Sequence, residues 1–377
     1  MAIPVVDPER YAEQLSVKRD YLERTFASFK PPALEVYESP PGYYRQRCEF
    51  RIWHEDDDLY YAMFEVDPEN PKNKRVIRLD QYAVASERIN QLMPQLREAC
   101  LQSDELRRRL FQVEFLTTLS GEALVTLIYH RPLGDEWERE ARELEAKLGI
   151  MIIGRSRKQR HVLTRDHVWE RLEVDGRTLH YQQVENSFTQ PNAHICQTML
   201  SWAREVTGSG QQEGLPKDRN EDLVELYCGN GNFTIALAEN FRRVLATEIS
   251  RTSVASANVN LDANSVTNAY VARMSAEEFA QALKGEKQGR RVAEMALENY
   301  AFSTVLVDPP RAGLDDESCH QLSEYAHIVY ISCNPATLAD NMAILTQTHR
   351  IERFALFDQF PFTDHCECGV LLKRRDG

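Results

Sequence analysis

Residues 222–250 read DLVELYCGNGNFTIALAENFRRVLATEIS. A strand-like run, LVELY, meets an Asn/Gly turn; a helical stretch, FTIALAENF, follows, and a second strand-like run, VLAT, ends in an acid. Glycines at 229 and 231 allow a backbone to approach a ligand closely at the carboxyl end of the first strand, where doubly wound sheets bind their ligands. The turn lacks the third glycine of the dinucleotide fingerprint, so a pyrophosphate cradle is not indicated. Glu248, 19 residues after Gly229, caps the second strand. A carboxylate there can accept both hydroxyls of a ribose, although an isolated strand-end glutamate is often only solvated. An adenosine-containing ligand without a pyrophosphate, together with a closing antiparallel strand, favours S-adenosylmethionine over NAD.

The rhythm continues outward. AYVAR precedes SAEEFAQALK, STVLV precedes ESCHQLSEY, and IVYIS precedes PATLADNMAIL, making five short apolar runs that each lead into a helical pattern. Such alternation predicts a doubly wound, mostly parallel sheet. RFALFDQFP and CGVLLKR then form a terminal antiparallel hairpin, while the polar stretch 208–222 links a preceding helix to the first strand. The first half reads differently. An amphipathic helix is expected within 8–29, then a meander of YRQRCEFRIWHE, LYYAMFEV and RVIRL, a helix over roughly 85–109, and a strand pair, FQVEFLTTL and ALVTLIYH. The charged helix DEWEREARELEAKL and the extended GIMIIGRS follow. The predicted architecture is α/β: an N-terminal helical segment over 1–40, a smaller α+β domain over 41–182, and a Rossmann-like domain over 183–377.

Of 377 residues, 42% are hydrophobic and 27% charged, which excludes a disordered chain. No apolar run reaches the ~18 residues of a membrane span. The start, MAIPVVDPERYAEQL, has neither a basic leader nor an apolar core for export, so a cytoplasmic location without a membrane partner is expected. The eight cysteines contain no C-x-x-C pair, so neither a metal nor an iron-sulfur cluster is expected. Buried reduced thiols are the expectation for all but one.

That one is Cys333. VDPPRAGL, residues 307–314, leaves the fourth strand with Asp308 at the carboxyl edge, because two prolines cannot continue a parallel ladder. The next strand ends in YISCNP, placing Cys333 at the same edge just before Pro335 opens a helix, whose dipole is expected to favour the thiolate. If the closing strand runs antiparallel beside it, TDHCECGV brings Glu367 near Cys333 from 34 positions on. A thiolate and a carboxylate base beside a methyl donor suit methylation of a pyrimidine C5 carbon, which is too poor a nucleophile without prior addition at C6. Cys366 is the rival nucleophile, but no helix N-terminus stands behind it.

With VENSFTQPN, these motifs resemble those of the RNA 5-methyluridine methyltransferases. YRQRCEFRIWHE and DQFPFTDHCECGVLL, with no added domain, resemble the tRNA (uracil-5-)-methyltransferase branch of TrmA type, over nearly the whole chain. The resemblance implies Cys333 as nucleophile, Glu367 as base, and Gln190, Tyr227, Asn232, Glu248 and Asp308 as S-adenosylmethionine contacts. It further implies that the smaller domain binds RNA and that the substrate is the T-loop uridine of tRNA, with tmRNA a second candidate partner and the enzyme a monomer. Such a base must be extruded into a pocket. Phe188 and Gln190 are candidates for stacking on and hydrogen-bonding to it, Arg311 for meeting a phosphate or the base, and Phe111 for insertion into the loop. A buried Phe, a helix-capping Gln and a surface Arg are the plainer readings.

The net charge of −13, from 45 basic and 58 acidic residues, runs against a general affinity for nucleic acid. Basic residues nevertheless cluster in GRSRKQRHVLTR (154–165), YRQRCEFR and LRRRLF, which suits a local RNA surface. Two other functions compete. An adenine-N6 methyltransferase shares Asp-Pro-Pro but needs neither Cys333 nor Glu367 and normally has an aromatic at the place of Arg311. An RNA-binding or RNA-folding protein on an inactive scaffold would not require the intact pair.

Overall fold

The computed structural model describes residues 3–66, 70, 74–208 and 221–375. Most of the polar link at 208–222 therefore lies outside the described residues. The chain opens with α1 (Tyr11–Phe26) and β1 (Glu35–Tyr37). There follow β2 (Arg47–Glu55), β3 (Asp58–Val66), β4 (Lys74–Leu79), α2 (Glu87–Gln102), α3 (Asp104–Arg107), β5 (Leu110–Thr117), β6 (Ala123–Tyr129), α4 (Asp135–Leu148), β7 (Met151–Ser156) and β8 (Gln159–Val162). These strands form a seven-stranded sheet in the order β4-β3-β2-β5-β6-β7-β8. Strand alternation decides which face is covered: in β2, Cys48, Phe50 and Ile52 are buried, while Glu49 and Trp53 face outward. The inner face packs on Ile89, Leu92, Met93 and Leu96 of α2 and on Trp137, Ala141 and Leu144 of α4. A Cβ at Gly154 of β7 would lie 2.2 Å from the Trp137 ring, so only glycine admits that indole.

The second half contains β9 (His167–Val174), β10 (Arg177–Val184), α5 (Ala193–Thr207), β11 (Asp222–Leu226), α6 (Asn232–Leu237), β12 (Arg243–Glu248), α7 (Arg251–Ala263), β13 (Ala269–Arg273) and α8 (Ala276–Leu283). It continues with α9 (Arg290–Met295), β14 (Phe302–Val307), α10 (Asp316–Leu322), β15 (His327–Ser332), α11 (Pro335–Leu345), β16 (His349–Phe357) and β17 (Glu367–Arg374). The eight-stranded sheet has the order β1-β16-β17-β15-β14-β11-β12-β13. From β13 to β15 neighbours are parallel, and β17 inserts antiparallel between β15 and β16. Strand order reverses between β11 and β14, which makes the cleft beyond their carboxyl ends the ligand position of such sheets. Both faces are covered, as the near-continuous apolar strands demand. Leu223, Leu306 and Val329 pack towards α5 and α6, and Val224, Val305 and Ile328 towards α10 and α11.

Packing departs from the expected domain boundaries at two places. The N-terminal segment does not stand apart: β1 pairs in parallel with β16, and Leu15, Leu22 and Phe26 of α1 join the core beside α11. Lys18 of α1 forms a 2.7 Å ion pair with Asp358, both side chains at 5% exposure or less. The hairpin β9–β10, assigned to the first domain by the 182/183 boundary, packs Leu172, Val174, Leu179 and Tyr181 against α5 and α6. Its turn, Asp175-Gly176, has both residues at positive φ, the conformation that gives a two-residue hairpin the twist of its strands.

Candidate active site

Beyond β11 the chain makes the turn 227–231 with Tyr227, Gly229 and Gly231 at φ 64°, 56° and 83°. A Cβ at Gly229 would meet nothing within 4 Å, so the glycine serves the left-handed backbone rather than a crowded contact. Glu248 grips this turn from the next strand: its Oε2 accepts from the Gly229 amide at 3.1 Å and its Oε1 from the Ser250 amide at 2.7 Å. Each oxygen retains acceptor capacity for a further donor, as ribose recognition requires. Asn232 starts α6 and its side chain meets the Cys196 thiol at 3.4 Å, while its carbonyl accepts from the Tyr181 hydroxyl at 2.9 Å.

An open cleft of about 550 Å³ lies over the turn. Tyr227, Asn232, Asp308, Gln190 and Phe188 line it together, with Leu172, Tyr181 and Gln183 from the β9–β10 hairpin. Phe188 leaves 70% of its surface exposed at the rim, so it is no core residue. Gln190 Nε2 donates to Asp308 Oδ2 at 3.4 Å, and Gln190 Oε1 accepts from Gln359 Nε2 at 2.7 Å. Gln359, Tyr181 and Gln183 were not among the sequence candidates. The Asp-Gly turn between alternating runs was the available signal for the hairpin; Gln359 had none beyond its place in DQFPF.

One strand over, Ser332 pairs with Cys368 at the end of the β15–β17 ladder, so Cys333 and Glu367 are the next residues on facing strands. Asn334 caps α11, and its Nδ2 also donates to the Arg311 carbonyl at 3.0 Å, drawing the post-proline loop to the cysteine. The Arg311 side chain is exposed, and its charge favours the Cys333 thiolate. That contribution does not prevail. Burial first, then the negative charges of Glu367 and Asp308, push the Cys333 thiol up to about 11, against the helix-dipole expectation of a lowered value. Glu367, 4% exposed, is pushed well above the usual carboxylate range by burial and by Asp308, and Asp308 is raised by burial. Two carboxylates sharing one desolvated site favour retaining a proton between them.

Phe111 is not among the residues that line this cleft; Arg51 lies 3.5 Å from the centre of its ring and His130 is stacked on it at 3.8 Å. Within 154–165, Arg155 and Arg160 pair with Glu185, and Arg165 with Glu122, because burial at the junction between the sheets calls for counter-charges. Arg157 and Lys158 remain exposed at the β7–β8 turn. Seven of the eight free cysteines are buried, Cys366 included, and only Cys333 is half-buried.

The glycine turn, the strand-tip acid and the antiparallel β17 define a Rossmann-like S-adenosylmethionine-dependent methyltransferase carrying a second, α+β domain. The chain belongs to the tRNA (uracil-5-)-methyltransferase family, whose model matches residues 10–375. It is 71% identical to the tRNA/tmRNA (uracil-C(5))-methyltransferase of Chromohalobacter salexigens over all of this chain and 98% of that protein. It is 53% identical to the protein of the same name from Shewanella amazonensis, with full coverage of both. The solved Pyrococcus abyssi tRNA (uracil-54, C5)-methyltransferase in complex with S-adenosyl-L-homocysteine aligns with TM-score 0.67 and 22% identity, covering 96% of this chain and 83% of that one. At that identity the likeness establishes the fold.

Proposed function

We propose that the protein methylates C5 of the T-loop uridine of tRNA through a covalent adduct between Cys333 and C6 of the base. The observation carrying this reading is the apposition of Cys333 and Glu367 at one end of the sheet, beside the cleft holding Asp308 and Gln190. The names of both curated relatives include tmRNA, which makes it a second acceptor to test.

The cleft fits the methyl donor by its chemistry: its lining offers a left-handed turn open to a ligand and the acceptor Asp308 beside the donor amide of Gln190, and the carboxylate of Glu248, which holds that turn from the next strand, keeps acceptor capacity. S-adenosylmethionine, held by Gln190, Tyr227, Asn232, Glu248 and Asp308, supplies an electrophilic methyl group. The chain's own residues do the rest. Cys333 loses its proton and its sulfur forms a bond to C6, turning C5 into an enolate-like nucleophile. After C5 has accepted the methyl group, Glu367 takes the C5 proton, the C5–C6 double bond re-forms and the thiolate leaves. A base that burial and a neighbouring carboxylate have made stronger suits that abstraction. In this reading Phe188, exposed at the rim, stacks on the extruded base, and Arg311 meets the base or a phosphate.

The test uses a T-arm RNA with 5-fluorouridine at the target, incubated with S-adenosylmethionine and run on a denaturing gel. Fluorine cannot leave as a cation, so a methylated adduct at Cys333 is expected. An adduct formed equally by Cys333→Ala, or none with RNA that binds, would overturn the reading. Parallel reactions with tRNA, tmRNA and ribosomal RNA identify the acceptor.

A further inference from the structure

Gln359 is completely buried, and its Oε1 has no hydrogen-bond partner. An orphaned buried amide oxygen is destabilising, so its orientation has to be held by something else. The amide chain supplies the reason. In its ionised form Asp308 only accepts, so Gln190 turns its Nε2 to that carboxylate and leaves its Oε1 towards Gln359. Gln359 must then donate its own Nε2, which strands its oxygen. Contacts on either side keep Gln359 in place: the Lys18 ammonium donates to the Asp358 carboxylate Oδ1 at 2.7 Å and to the Phe360 carbonyl at 2.8 Å, and Asn192 Nδ2 donates to the Gln359 carbonyl at 3.3 Å.

We infer that Gln359 is a positioning residue that locks the Gln190 amide with its NH₂ towards the cleft, so that the site reads a carbonyl oxygen on the incoming pyrimidine and prefers uracil to cytosine. One Nε2 hydrogen faces Asp308 and the second is available to the base. Uracil offers an acceptor at O4, where cytosine carries an amino donor that would meet the amide hydrogens head-on. Selection thus comes from an unfavourable donor–donor contact as much as from the bond to uracil. The inference rests on the pyrimidine substrate proposed above.

The test is equilibrium binding, without methyl donor, of two T-arm RNAs identical except for uridine or cytidine at the target, alongside methyl transfer to the uridine RNA. Wild type is expected to bind the uridine RNA about tenfold tighter, the weight of one hydrogen bond. Gln359→Met should remove most of that preference, and Gln359→Glu, acceptor-only, should turn the Gln190 amide round and shift it towards cytidine. A ratio of affinities cancels the folded fraction of each variant. In a Gln190→Ala background, Gln359→Met should change the ratio no further. An unchanged ratio in Gln359→Met, an equal shift with and without Gln190, or a sharper uridine preference in Gln359→Glu would each overturn the inference. A uridine preference that follows these variants while wild type transfers no methyl group supports the orientation and counts against the proposed reaction instead.

Discussion

Cys333 and Glu367 stand one step beyond the last rung that β15 and β17 share, Ser332 with Cys368, so an antiparallel ladder delivers to one point two groups far apart in sequence. Both are more readily protonated than ordinary members of their kinds, because the same desolvated end of the sheet also holds Asp308.

Glu367→Gln should leave addition and methyl transfer in place and block release, because an amide fills the same space without accepting the C5 proton. Denaturing gels with unmodified T-arm RNA are expected to show accumulating methylated adduct, with release slowed by roughly 10²–10⁴-fold. Release at the wild-type rate would remove Glu367 from the role of base.

The raised thiol makes the free protein's Cys333 a sluggish nucleophile. With its pKa at about 11, the thiolate fraction at pH 7.5 should be roughly two orders of magnitude below that of free cysteine. Iodoacetamide should therefore alkylate it slowly, at a rate still climbing at pH 10, and at the alkaline end, where both carboxylates are ionised, Glu367→Gln should speed the reaction by removing a negative neighbour. Peptide mass mapping distinguishes Cys333 from the buried thiols. A rate plateau near pH 7 would restore the helix-dipole expectation.

Much of the site was legible in sequence because strand ends are marked by local chemistry. Gly229, Asp308 and Cys333 each follow an apolar run and precede a helical one, so parallel topology puts them on one edge. The thiol's direction of shift was not legible, since burial and the approach of Asp308 and Glu367 are products of tertiary packing. The same holds for Lys18 and Gln359. A lysine on an amphipathic helix reads as solvated, and nothing local to DQFPF shows that Asp358 will be sealed under α1. Nor does an arginine-rich run show that Glu185 and Glu122 will come to meet it.

Lys18→Met should destabilise the fold by about 3–5 kcal/mol, the usual cost of leaving one member of a buried ion pair alone. Asp358 would keep the Gln14 Nε2 donor, at 2.8 Å, and the Tyr11 hydroxyl, too little to replace a charge. Adding Asp358→Asn should recover most of the loss, because the stranded charge disappears with it. Urea unfolding of the two single variants and the double measures this, and strictly additive losses would contradict it.

Glu225, 1% exposed beneath the glycine turn, is pushed up to about 8 by burial, with Asp308 adding to the shift and a hydrogen bond from Thr234 opposing it. In the unfolded chain its proton leaves near 4.5. Between these values the folded chain binds the extra proton, so this group's contribution is complete below pH 4.5 and declines as pH rises to about 8. Glu170, raised by burial to about 7, adds a second decline of the same sign. Unfolding free energy should therefore fall between pH 5.5 and 8. Glu225→Gln, which keeps the shape and the Thr234 bond without a titrating proton, should fall less, by up to ~3 kcal/mol. Equal slopes in urea titrations of wild type and variant would show that Glu225 is already ionised in the folded chain.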